Sequence, residues 1–333
     1  MVMERDIFET MQDDLHSAKI PEDEKNKLMR NLLTLRKNEI NLLITGATGC
    51  GKSSTINALF DTDKAKIGTG ADPETMKIDK YNLKNLILWD SPGLGDGKEA
   101  DEEHSKGIIE LLNKTGGNGE ALIDLVLVIL DGSTRDLGTS YGLINEVIIP
   151  NLGGNNKEGR ILVAINQADA AMKGRYWDKE NNKPERPLID FLEEKVQSVR
   201  NRIKEGTGVD IEPIYYSAGF KEDGELQERP YNLSKLMYFI IKNTPTKKRL
   251  AYVDTISRDD NVWRYNDTLK DYNKEIKLSF AETLKKDIAS GADIGGDIGK
   301  IFGSAGETIG RTAGAIVGGV VGTAKAFWNS IFS

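Results

Sequence analysis

The run Gly46-Ala47-Thr48-Gly49-Cys50-Gly51-Lys52-Ser53 fits the pattern G-x-x-x-x-G-K-[ST] in full. Its flanks make it the most constraining stretch of the chain. An apolar run, Ile40 to Thr45, precedes it and reads as a buried strand. Ser54 to Phe60 follows and reads as a helix. A glycine loop between strand and helix turns backbone N–H groups inward, and the helix N-terminus adds positive potential. Together these hold phosphate groups. Lys52 is expected on the β- and γ-phosphates of a nucleotide and Ser53 on Mg2+. Gly46, Ala47, Thr48, Gly49, Cys50, Gly51 and Ser54 complete the cradle. Cys50 is read as a small buried filler rather than a reactive thiol.

From Glu39 onward, short apolar runs alternate with helical stretches. The runs are 40–45, 86–89, 125–130, 161–165 and 214–216; the helical stretches are 52–60, 99–114, 137–148, 187–204 and 231–243. Leu125-Val126-Leu127-Val128-Ile129-Leu130 is apolar on both faces, as strands covered by helices on both sides are. The expected fold is α/β: a three-layer P-loop NTPase G domain with a mostly parallel sheet, plus flanking N- and C-terminal helices. The expected divisions are a helical segment 1–38, the G domain 39–245, a charged helical extension 246–290 and a glycine-patterned helical segment 291–333.

Three further motifs follow in order. Leu86 to Asp90 reads as a strand ending in an acid, and Asp90-Ser91-Pro92-Gly93 gives D-x-x-G. Asp90 is expected to hold Mg2+ through a water and the Gly93 N–H to sense a γ-phosphate. Asn166-Gln167-Ala168-Asp169 closes the strand Ile161 to Ile165. The Asp169 carboxylate can accept from N1 and N2 of guanine, a donor pair that adenine lacks, so it selects GTP and GDP. Asn166 is expected to tie this loop to the phosphate loop. Tyr216-Ser217-Ala218 follows the last apolar run and offers a backbone N–H to guanine O6. Thr69 and Thr75 are candidates for the γ-phosphate-sensing threonine. Thr75 is preferred as a metal ligand because it precedes 76–81, a run able to pair as an edge strand. The expected catalytic set is Lys52, Thr75 and Gly93, and the metal set is Ser53, Thr75 and Asp90.

These elements, in this order, resemble the translation-factor-like GTPases that include Era, TrmE and the septins. The loop Thr48 to Ser54 with Asp90-Ser91-Pro92-Gly93-Leu94-Gly95-Asp96 is similar to septin-like and immunity-related GTPases and to bacterial "50S ribosome-binding GTPase" or YeeP/YfjP-like proteins. The resemblance covers about 38–245. It implies GTP hydrolysis to GDP by a molecular switch, with Mg2+ as cofactor; a ribosome-associated assembly GTPase and a GTP-binding scaffold with little hydrolysis are the alternatives. Two positions depart from relatives. Leu94 stands where Ras-like enzymes place the glutamine that orients water, so hydrolysis is expected to be slow and to rise on dimerisation across the nucleotide face. Gly49 stands where TrmE-like members use an asparagine to hold potassium. His104 is read as an exposed helix residue rather than a phosphate-approaching one. Arg135 and Arg175 are open candidates for an arginine finger in trans.

The balance of 45 basic and 52 acidic residues, net −7, argues against DNA as a partner. One cysteine excludes an internal disulfide, and the acidic start at Met1 to Ile20 lacks the pattern of a secretory signal. The expected location is cytoplasmic, peripheral at the inner face of a membrane. Gly295, Gly299 and Gly303, then Gly306, Gly310, Gly314, Gly318 and Gly322, recur every fourth residue. Such a strip suits close helix approach. Three readings stay open for 291–333: membrane contact with Phe327 and Trp328 as interface anchors, a helical hairpin on the domain, or an oligomerisation strip. Membrane contact is the leading one.

Overall fold

The computed structural model describes residues 6–60, 66–68, 78–95, 97–117, 119–154, 156–220, 229–292 and 298–315. Two helices lead: α1 (Ile7–Ser17), capped by Asp6, whose carboxylate accepts from the Glu9 N–H at 2.7 Å, and α2 (Glu22–Arg36). The alternating part follows as β1 (Ile40–Gly46), α3 (Lys52–Leu59), β2 (Lys66–Gly68), β3 (Asp79–Leu83), β4 (Leu86–Asp90), α4 (Lys98–Asn113) and β5 (Leu125–Asp131). Next come α5 (Gly138–Gly142), a π-helical stretch (Leu143–Ile148), α6 (Ile149–Asn151), β6 (Ile161–Asn166), a short hairpin of β7 (Trp177–Asp178) and β8 (Lys183–Pro184), α7 (Arg186–Thr207), β9 (Ile214–Tyr215) and α8 (Leu233–Asn243). After a 3-10 turn (Thr246–Tyr252) come α9 (Asp260–Trp263), α10 (Tyr272–Thr283), α11 (Ile298–Ile301) and α12 (Gly303–Ala315).

Seven strands form one sheet in the order β2-β3-β4-β1-β5-β6-β9. From β4 to β9 every pairing is parallel, while β3 runs antiparallel to both β4 and β2. The fold is α/β and three-layered, as the alternation requires. Alternate residues of each strand serve opposite faces. On one face Leu42, Ile44, Leu127, Ile129 and Leu162 pack beneath α1, α2, α8, α10 and the chain's last helices. On the other Leu43, Val126, Val128, Val163 and Ile165 meet Ile108 and Leu111 of α4, Ile144 and Ile148, and Leu188 and Val199 of α7. This two-sided burial is why β5 carries no polar alternation.

The edge of the sheet differs from the sequence expectation. Of the run placed at 76–81, residues 76 and 77 lie outside the described residues; β3 covers Asp79–Leu83 and is not the edge, since β2 lies outside it. The polar run Asp79-Lys80-Tyr81-Asn82 is only partly buried and so carries little apolar signal. The stretch 246–290 is built from several short helical pieces. Asp259 and Asp271 accept from the N–H groups of Asn261 and Lys274, starting α9 and α10 separately.

Of the three readings of the C-terminal segment, the described part packs on the domain. Ile298, Ile301, Phe302, Ala305 and Ile309 are buried with Ile7, Met11 and Phe280. The Asp14 carboxylate accepts from the Ala305 N–H at 2.8 Å. Each large apolar side chain so buried is worth about 2 kcal/mol, an upper estimate. Among the described residues no helix is long and apolar enough to cross a membrane. Gly295, Gly318, Gly322, Phe327 and Trp328 lie outside the described residues.

Candidate functional site

The strand order reverses on either side of β1, and the loop leaving β1 lies in the crevice at the carboxyl ends of the strands, where open α/β sheets bind ligands. Register brings the motifs together. Asp90 pairs with Ile44, two residues before Gly46 opens the phosphate loop, and Asn166 pairs with Asp131 on the other side.

The phosphate loop runs from Gly46 into α3. Gly51 takes φ +89°, and a Cβ there would lie 2.2 Å from the Asn166 amide nitrogen, so only glycine lets the two loops meet. Ser53 and Ser54 are exposed on the first turn of α3. Lys52 Nζ lies within the loop, donating to the carbonyls of Gly46 and Ala47 at 3.2 Å each. Cys50 is fully buried and its thiol is pushed up to about 11 by that burial, which suits a filler and leaves little thiolate.

The guanine side is a hydrogen-bonded unit. Asn166, buried, donates from Nδ2 to the Cys50 carbonyl at 2.9 Å and accepts on Oδ1 from the Ala218 N–H at 2.9 Å. Gln167 donates from Nε2 to the Gly49 carbonyl at 2.8 Å. Two neighbouring carboxamides thus grip two consecutive carbonyls of the phosphate loop. Gln167 adopts φ +59°, a left-handed conformation that its amide bond helps to hold. Asp169 Oδ1 accepts from the Ser217 hydroxyl at 2.6 Å, which fixes the carboxylate while leaving acceptor positions for a base. Ser217 is itself pinned by paired backbone bonds with Tyr231. The Ala218 N–H is given to Asn166, so a base oxygen reaching that N–H would share or displace the bond.

The metal side is less furnished. Asp90 Oδ1 is buried with no hydrogen-bond partner among the described residues. Burial pushes the Asp90 carboxyl up to about 6; nearby Lys52 opposes that rise and Asp79 adds to it. A buried carboxylate oxygen on Asp90 and an exposed hydroxyl on Ser53, the residue after Lys52, are oxygen donors of the kind that suits Mg2+. Thr69 and Thr75, the remaining metal candidates, lie outside the described residues. Leu94 is buried among the residues under α4. His104, expected to be exposed, is instead half-buried, with Nδ1 3.2 Å from the Gly93 carbonyl. Since a carbonyl only accepts, Nδ1 carries the proton. Its spacing of four and seven residues from Ile108 and Leu111 is the sequence signal for this face. Arg135 is exposed on the loop after β5, and Lys195 clamps that loop by donating to the carbonyls of Gly132 and Thr134. The hairpin β7–β8 carries no motif. Its Trp177 packs edge-on against Tyr231, at 5.4 Å between ring centroids, and so braces the Ser217 loop.

Residues 41–167 match the family model described as 50S ribosome-binding GTPase. The chain is similar to the protein YkfA of Escherichia coli (strain K12), 28% identical over 161 residues, 46% of this chain and 50% of that one. It is also similar to T-cell-specific guanine nucleotide triphosphate-binding protein 2 of Mus musculus, 35% identical over 85 residues, 22% of this chain and 20% of that one. The chain spans half or less of these curated relatives. Among solved structures, the G domain of the T. maritima FeoB iron transporter is similar at 17% identity and TM-score 0.34, covering 62% of this chain and 99% of that one. Toc33 from Arabidopsis thaliana, solved with Mg2+ and GMPPNP, is similar at 17% identity and TM-score 0.38, covering 74% and 99%. Over residues 41–167 the chain is thus similar to a GTPase family, and no narrower branch is assigned.

Proposed function

We propose that this chain is a GTP-hydrolysing switch. In this reading Asp169 reads the guanine edge, and the loop 46–54 with Lys52 cradles the phosphates. Ser53, Asp90 and Thr75 hold Mg2+, and Gly93 senses the γ-phosphate. The observation that carries the reading is the strapping of the phosphate loop to the 166–169 and 217–218 loops through Asn166, which sets a fixed carboxylate beside a backbone anion cradle. Bound Mg2+ would neutralise charge developing on the phosphate oxygens. Lys52 must leave the Gly46 and Ala47 carbonyls to reach them. The buried Leu94 cannot orient water, so the group that does so comes from elsewhere, in this reading from a second copy docked across the nucleotide face. In this reading membrane contact falls to 310–333, because 298–309 is committed to the domain; the run from Thr312 to Phe332 carries one charge, Lys325.

Calorimetry with Mg2+ tests the core of this reading. GDP and a non-hydrolysable GTP analogue should bind and adenosine nucleotides should not; equal affinity for ADP would refute it. Turnover per molecule should rise with protein concentration, and a flat profile would remove the dimer. The family model's description favours a second reading, a ribosome-associated GTPase. Co-sedimentation with ribosomes against liposomes separates that reading from the membrane one.

A further inference from the structure

The segment after Asp90 does not stand clear of the phosphate loop. Gly93 lies directly on Thr48: a Cβ on Gly93 would come within 2.3 Å of Thr48 Oγ1 and 2.6 Å of Thr48 Cα. The Thr48 N–H donates to the Leu94 carbonyl at 2.8 Å, and the Leu94 N–H faces the Gly46 carbonyl at 3.4 Å, so Ala47 and Leu94 form a parallel bridge. The chain's own carbonyl has therefore taken the Thr48 N–H of the loop, and Gly93 is packed against Thr48. Helix α4 holds the segment from its outer side. His104 Nδ1 donates to the Gly93 carbonyl at 3.2 Å, and Asp101 Oδ1 accepts from the Gly95 N–H at 2.8 Å. The Leu94 side chain is buried beneath the same helix.

We propose that Gly93–Gly95 is a latch closed over the phosphate loop, that a γ-phosphate must open it, and that His104 is the positioning residue holding it shut. The inference rests on the site reading above. His104 touches neither nucleotide nor metal. It acts by fixing the Gly93–Leu94 peptide so that the Leu94 N–H faces the Gly46 carbonyl; the next peptide, whose Leu94 carbonyl takes the Thr48 N–H, is held from its other side by Asp101 at the Gly95 N–H. Loss of that bond frees the peptide to turn and favours the triphosphate, because a ligand shifts such an equilibrium only through its differential contacts with the two states. His104 is half-buried at the helix surface, so its removal leaves the core intact.

The test compares His104→Ala and His104→Asn in the full chain. The carboxamide introduced by H104N places a donor near the position of Nδ1. Hydrogen exchange is read first, in nucleotide-free protein, over peptides containing Thr48 and Gly95. Exchange should quicken in H104A by about fivefold, the worth of one hydrogen bond, and return towards the parent rate in H104N. Calorimetry is read second. The ratio of affinities for a non-hydrolysable GTP analogue over GDP should rise by a similar factor in H104A and return in H104N. Unchanged exchange in H104A overturns the latch whatever the titrations give. So does an affinity ratio that falls, since His104 would then support the open form. Parent protein that binds no guanosine nucleotide, with exchange responding as described, would instead sink the reading of the site.

Discussion

The two halves of the nucleotide site are built to different degrees. On the base side, every polar group that positions the loop has a partner: Asn166 is used at both ends, Gln167 reaches Gly49, and Asp169 is held by Ser217. On the phosphate and metal side, Asp90 keeps a buried oxygen with no partner among the described residues, Lys52 is folded onto carbonyls of its own loop, and Leu94 covers Thr48. In the proposed function, the base side is organised for its ligand in advance, whereas the phosphate side must rearrange. Preorganisation moves the ordering cost into folding. Discrimination of the purine should therefore be a property of the fold, and discrimination of di- from triphosphate a property of its motion.

Substitutions can break or sharpen this contrast. The largest effect should come from Asp169→Asn, which exchanges two acceptors for an acceptor and a donor. GDP affinity should fall by about a hundredfold or more, the worth of two charge-assisted hydrogen bonds. Xanthosine diphosphate, which presents a carbonyl where guanine has its 2-amino group, should gain; calorimetry with both nucleotides decides. Folding should persist, since the asparagine Oδ1 still accepts from Ser217. Next, Asn166→Ala should destabilise the nucleotide-free protein by about 2–3 kcal/mol in denaturant unfolding, because the Cys50 carbonyl and Ala218 N–H lose their partner in the interior. Little loss would mean that the base side is not a strapped unit.

The metal side should respond with the opposite sign. The Asp90 carboxyl is raised from 3.8 to about 6, so the folded chain holds this proton more tightly than the unfolded chain does. Between those pH values the nucleotide-free protein should lose stability through this group as pH rises. Asp90→Asn should flatten that slope and stabilise the nucleotide-free protein near pH 7 by about 1–2 kcal/mol, allowing for partial solvent access. It should also abolish the gain in nucleotide affinity on adding Mg2+. Thermal unfolding across pH, with and without Mg2+, reads both. The smallest effect belongs to Gln167→Ala, about fivefold in GDP affinity, since one partly exposed bond is lost while the left-handed backbone requirement is shared by both residues.

The layers of the fold are legible in the sequence because β5 and β6 are apolar on both faces and their helices keep a 3.6-residue period. The phosphate loop is legible because its glycines answer to backbone geometry, as Gly51 does against Asn166. The polar edge strand β3 is not, since half-exposed Asp79 to Asn82 mimic a loop. The division of 246–290 is also hidden, although Asp259 and Asp271 are good capping residues; a high charge density throughout the stretch masks their signal. The acidic neighbours Glu102 and Glu103 make His104 read as exposed, while the apolar stripe that it heads, Ile108 and Leu111, sets its direction. The engagement of the Ala218 N–H by Asn166 has no sequence signal, because it depends on how two loops from different strands approach.

The contact between Asp14 and Ala305 ties residues 291 positions apart, so α1 and α12 lie side by side on one face of the sheet. Force applied to the tail of such a chain does not reach the nucleotide loops first. It acts on α12, which peels away from α1 like a strip of tape, and the remainder of the domain bears the load only after that strip has detached.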